Sequence, residues 1–220
     1  MKDRKLLNRE LGRITPSEYV TTRPSSGIVL VLDNVRSAHN VGSAFRTADA
    51  FGVDKVYLGG ICPVPPSAEL RKVALGAEEV VPSEHVADVV ALVRQLQADG
   101  YTVIAVEQTE NSVKLNELSS AGSIVHSSEH RPFFRSEECS YAVGTESEHR
   151  PFLRSQEGSP ATDKVKYALV FGNEVEGVQQ EVVDACDFSL EIPQKGTKHS
   201  LNVSVSIGVV LWALTSVEWK

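Results

Sequence analysis

The chain has 220 residues, 41% hydrophobic and 23% charged, enough for one sizeable α/β domain with a full core. Its formal net charge of −7 argues against a protein that holds nucleic acid by bulk attraction and leaves that task to a local basic patch. Cys62, Cys139 and Cys186 stand far apart without a C-x-x-C pair, which argues against a disulfide framework and against a zinc site.

The first 26 residues form a basic extension, six Lys or Arg against three acids, and "DRKLLNRELGR" within it reads as a helix. This extension is too short for a separate RNA-binding domain. No apolar signal core follows the charged start. The most apolar stretch, "LNVSVSIGVVLWAL", is too short and too polar to span a bilayer, so a cytoplasmic protein without membrane contact is expected.

From residue 27 to 220, short β-branched runs alternate with helical patterns, the signature of a parallel sheet covered by helices on both faces. Strands are expected at 28–33, 55–58, 101–107, 167–171 and 188–192, with a weaker one at 80–81. Helices are expected at 41–51, 69–75, 84–98, 179–185 and 201–219, with Ser83 as N-cap of the third and Gly100 as its stop. The last helix is apolar nearly all round, so it must be buried in the domain or against a second subunit.

Residues 119–163 break the rhythm. "SEHRPFFRSEE" from Ser128 returns as "SEHRPFLRSQE" from Ser147, a polar duplicated insertion with too few copies for a solenoid. Its Glu-His pairs are explained by a solvated surface loop, and no metal is expected.

Three segments each begin where an apolar strand ends: "NVRSAHNVGSAFR", "GNEVEGV" and "PQKGTKHSLNVS". In open α/β sheets the strand C-termini are where ligands bind. A nicotinamide or flavin site is disfavoured, because the first loop has Gly42 but no G-x-G-x-x-G and the next strand ends in "YLGG" without an acid.

Together the three segments resemble the motifs of the SpoU (TrmH-like) RNA ribose 2'-O-methyltransferases of the SPOUT superfamily. Asn40, Gly42 and Arg46 match the first motif. Gly172, Asn173, Glu174 and Gly177 match the second, and Ile192, Pro193, Ser200, Leu201 and Asn202 the third. The resemblance implies a parallel sheet with a C-terminal deep trefoil knot, a homodimer, an RNA substrate (tRNA or rRNA) and S-adenosyl-L-methionine as cofactor. By the same analogy the main chain around Val106, Gly172, Ile192 and Leu201 holds the cofactor. Gly172 and Gly177 permit close backbone approach, while Ile192 and Leu201 offer apolar surface to an adenine.

Arg46 is then expected to clamp the substrate phosphate with its planar fork, with Asn40 fixing its orientation. Glu174, Ser200 and Asn202 match positions that handle ribose and phosphate. Plainer readings stand beside these: Ser200 and Asn202 as helix caps, Glu174 as a structural ligand of its own loop, Lys195 and Lys198 as solvated charges. His39 and His199 flank the motifs without belonging to them. The alternative function is an inactive RNA-binding protein of the same fold.

Overall fold

Ile28–Asp33 (β1), read IVLVLD, is buried at all six positions. A strand without a solvent face needs neighbours on both edges and helices on both sides. The other strands among the described residues are Lys55–Gly59 (β2), Ser83–Val86 (β3), Tyr101–Val106 (β4), Val113–Lys114 (β5), Lys166–Phe171 (β6) and Phe188–Glu191 (β7). Their order is β3-β2-β1-β6-β4-β7-β5, and every neighbouring pair is parallel. The computed structural model describes residues 4–7, 10, 12, 18, 25–117, 165–197 and 200–215, all within one unit built from Met1–Val125 and Val165–Lys220. The duplicated insertion, Cys139, Lys198, His199 and most of the basic extension lie outside the described residues.

Alternation along β1 divides the core. Leu30 and Leu32 pack with helices Ala38–Ala50 (α1), Ala68–Ala74 (α2), Ala77–Val80 (α3) and Val203–Thr215 (α6). Val29 and Val31 face Val89–Ala98 (α4) and Gln180–Ala185 (α5) on the other side. Gly42 sets how closely α1 meets α2: a Cβ there would lie 2.8 Å from the Leu70 carbonyl oxygen and 2.9 Å from the Val73 Cβ.

Several boundaries differ from the sequence reading. Residues 83–86, expected to open a helix, form β3, an exposed edge strand paired with Val56–Gly59. Polar residues suit an edge strand, which is why "SEH" reads as a helix start. The helix begins instead at Val89, where the Asp88 side chain accepts from the Ala91 N–H at 2.9 Å. The weak strand at 80–81 is the end of α3. β5 has two residues, too few to leave a periodic signal. Helix α1 starts at Ala38 on the Ser37 cap, so Asn40 sits in its first turn. Helix α6 starts at Val203, which leaves Ser200, Leu201 and Asn202 in the preceding loop. One side of α6 is buried through Val203, Ile207, Val210 and Leu211, while Val205, Val209 and Trp212 are exposed.

Candidate functional site

The C-terminal ends of β1, β6, β4 and β7 are brought near one another by the strand order, and the segments that follow β6, β4 and β7 enclose a cavity of about 460 Å³. That volume suits a small organic ligand. Its apolar wall includes Val106, Phe171, Leu190, Ile192, Leu201 and Val203, and its carboxylates are Glu107, Glu174, Glu176 and Glu191. No Lys, Arg or His lines it among the described residues. All four residues expected to hold the cofactor line this cavity, together with Glu174, Ser200 and Asn202.

The loop after β6 is closed on itself by Asn173. Its backbone N–H donates to the Gly177 carbonyl at 3.1 Å and its carbonyl accepts from the Gly177 N–H at 3.1 Å. Its buried side-chain oxygen accepts from the N–H groups of Val175 and Glu176, both at 2.9 Å. This five-residue loop presents Glu174 at its turn. Gly172 permits a close backbone approach within the chain itself: a Cβ there would overlap the backbone of Gly177 and Val178, so the glycine also serves the loop's own closure.

Asn40 joins the three motif segments. Its Nδ2 donates to Glu174 Oε1 at 2.7 Å, and its Oδ1 accepts from Asn202 Nδ2 at 3.1 Å. Asn202 also caps α6, because its Oδ1 accepts from the Ser204 N–H at 2.9 Å. Capping and participation in the site therefore coexist in one side chain. Ser200 lines the cavity and is exposed.

Burial pushes the Glu174 carboxyl up. Hydrogen bonds from Asn40 and from the backbone N–H groups of Glu174, Arg36 and Ser37 outweigh that effect and hold it below the usual carboxylate range. Beneath the site lies Asp33, fully buried, whose carboxylate accepts from the Gln179 N–H at 3.0 Å and from Asn34 Nδ2 at 2.8 Å. Burial raises its pKa against those two bonds. Asp33 thereby ties the end of β1 to the end of the loop after β6. Cys62 and Cys186 are free thiols that burial pushes up to about 12, so they stay protonated.

Arg46 is not held by Asn40, contrary to the sequence expectation. Six residues on an α-helix leave two side chains about 120° apart around the axis, and Asn40 is engaged by Glu174 and Asn202. Arg46 is exposed on α1 and does not line the 460 Å³ cavity.

Glu107 escaped the sequence reading. It directly follows β4, and its carboxylate accepts from the Val178 N–H at 3.0 Å and from the Gln108 N–H at 2.8 Å. Gly177, at φ 72°, sits so close that a Cβ would overlap this carboxylate. Glu107 thus pins the loop after β6 to the end of β4. A lone glutamate after a strand carries no motif, and the one hint in the sequence is Gly177, which permits a close approach.

A profile of the SpoU rRNA methylase family matches residues 27–212. The 23S rRNA (guanosine-2'-O-)-methyltransferase RlmB of Pasteurella multocida is 33% identical over 194 residues, covering 86% of this chain and 60% of that one. The protein of the same name from Coxiella burnetii is 27% identical, covering 86% and 58%. The chain therefore spans about 60% of the length of the curated relatives it matches. Among solved structures, the A. aeolicus TrmH/SpoU tRNA modifying enzyme superposes with a TM-score of 0.64 at 22% identity, over 90% of this chain and 79% of that one. An AdoMet-bound rRNA methyltransferase from Sinorhizobium meliloti superposes with a TM-score of 0.63 at 22% identity, over 88% and 57%.

Proposed function

The chain belongs to the SpoU rRNA methylase family, and on that footing we propose that it transfers a methyl group from S-adenosylmethionine to a ribose 2'-hydroxyl of a structured RNA, a tRNA or an rRNA. The observation that carries this reading is the hydrogen-bonded chain Glu174–Asn40–Asn202, which joins all three motif segments beside the cavity.

The residues present fit the cofactor. S-adenosylmethionine pairs an adenine with a sulfonium and carries net positive charge, and the cavity combines an apolar wall with four carboxylates and no described cation. The main chain at Val106, Gly172, Ile192 and Leu201 would hold it, with Ile192 and Leu201 against the ring. When bound, it supplies the methyl group in electrophilic form.

The chain's own groups do the positioning. Glu174, ionised at neutral pH and fixed by Asn40, keeps lone pairs for a ribose hydroxyl, while Ser200 and Asn202 face the same space. Arg46 binds the adjoining phosphodiester in a fork. Its planar fork carries donors only and no acceptor, so it acts as a clamp.

No helix among the described residues is long and apolar enough to cross a membrane, and the reading places the protein in the cytoplasm. It also includes a homodimer, supported by the exposed stripe Val205, Val209 and Trp212 on α6, and the threaded C-terminal segment of the family. The insertion at 119–163 is assigned no part in cofactor binding.

The test is calorimetric binding of S-adenosylmethionine combined with transfer of labelled methyl to deproteinised tRNA and rRNA. Binding with transfer supports the enzyme. RNA binding without transfer on any RNA supports the inactive RNA-binding alternative.

A further inference from the structure

We propose that a second cavity, of about 550 Å³ at the start of α1, is the subsite for the RNA backbone phosphates that flank the methylated nucleotide. This rests on the methyltransferase reading above.

Three basic side chains, Arg36, His39 and Lys72, line this cavity with a single acid, Glu69. All three are exposed and make no hydrogen bond or ion pair to another described residue through their side chains. By contrast, Arg71, next to Lys72 in sequence, is committed to an ion pair and lies 2.6 Å from Glu79. In a chain of net charge −7, a group of basic side chains left uncompensated at one cavity is a local exception with a polyanion as its natural ligand.

The two cavities also differ in charge on either side of Asn40. The 460 Å³ cavity is lined by four glutamates and no described cation, which repels a phosphodiester. The 550 Å³ cavity admits one.

Helix geometry extends the basic surface. His39 and Arg46 are seven residues apart on α1, so they share a face within about 20° and are separated by roughly 10 Å along the axis. Arg46 and the cavity therefore lie along one face of α1, a basic line on which an RNA strand is held at several phosphates, with Arg36 and Lys72 holding those at the start of the helix.

The test measures affinity of the full chain for deproteinised tRNA and rRNA at several salt concentrations. Arg36→Ala/Lys72→Ala should weaken RNA binding about tenfold or more and flatten the log–log salt slope by roughly 1.4–1.8, the loss expected for two phosphate contacts. S-adenosylmethionine affinity should stay at the wild-type value. Glu69→Gln should tighten RNA binding, a gain that misfolding cannot imitate. Unchanged affinity and slope in the double variant, or weaker binding in Glu69→Gln, overturns the subsite. Binding is read without turnover, so a wild type that transfers no methyl counts against the methyltransferase reading and not against this measurement.

Discussion

Asn40 Nδ2 and Glu174 Oε1 lie 2.7 Å apart across 134 residues of chain, a contact that brings the first turn of α1 onto the loop after β6. Asn40→Ala removes this bond and the one from Asn202 together. It should retain the fold by circular dichroism and lower methyl transfer by roughly two orders of magnitude, the scale of one lost transition-state contact. Asn40→Asp should do no better, because it sets a second carboxylate against Glu174. Transfer assays at saturating cofactor and RNA check both.

Glu174 gives a pH signature. Its folded-state pKa is held below the ordinary value of about 4.3. The stability this contributes is therefore fully present above that value and lost as pH falls through the lower folded-state pKa. The melting-temperature difference between wild type and Glu174→Gln should be constant from pH 7 down to about 5 and shrink on further acidification. A difference that grows under acid would contradict the assignment.

Glu107 should matter to cofactor binding through the loop it pins. Glu107→Ala leaves the Val178 N–H without its 3.0 Å acceptor. Losing a bond to a charged group costs about 1.5–3 kcal/mol, and part of this should appear as weaker S-adenosylmethionine binding in calorimetry. Glu107→Gln keeps an acceptor and should recover much of the affinity. Gly177→Ala should resemble Glu107→Ala, because its Cβ displaces the same carboxylate.

Gly42→Ala tests packing apart from chemistry. With Leu70 O and Val73 Cβ at 2.8 and 2.9 Å from the added carbon, α1 and α2 must separate. Overpacking of this kind costs about 1–3 kcal/mol, measurable as a lower urea midpoint at unchanged m-value.

Trp212→Glu addresses assembly. Trp212 is 62% exposed in the single chain, so a charge there leaves the fold intact. Light scattering should show a monomer. A variant that remains dimeric would remove the α6 stripe from the interface.

The parts of the fold legible in the sequence were those whose residues speak for themselves. β1 and β6 are near-continuous apolar runs because both their faces are covered. The motif residues stood at strand ends, where the topology gathers them. What the sequence could not show depends on distant partners. Ser83–Val86 is a strand only because β2 offers it an edge, and Asn40 is turned from Arg46 toward Glu174 and Asn202 by its place in the first turn of α1. The ties from Glu107 to Val178 and from Asp33 to Gln179 span 71 and 146 residues and leave no local pattern.

The most direct measurement locates the transferred methyl. RNA labelled by the wild-type protein is hydrolysed in alkali, which cleaves next to free 2'-hydroxyls and spares the bond beside a methylated one. The account predicts label in alkali-resistant dinucleotides, with Arg46→Ala binding S-adenosylmethionine as wild type does yet transferring at least roughly a hundredfold more slowly. Label recovered on the bases, or an Arg46→Ala protein with near-normal turnover, would contradict it.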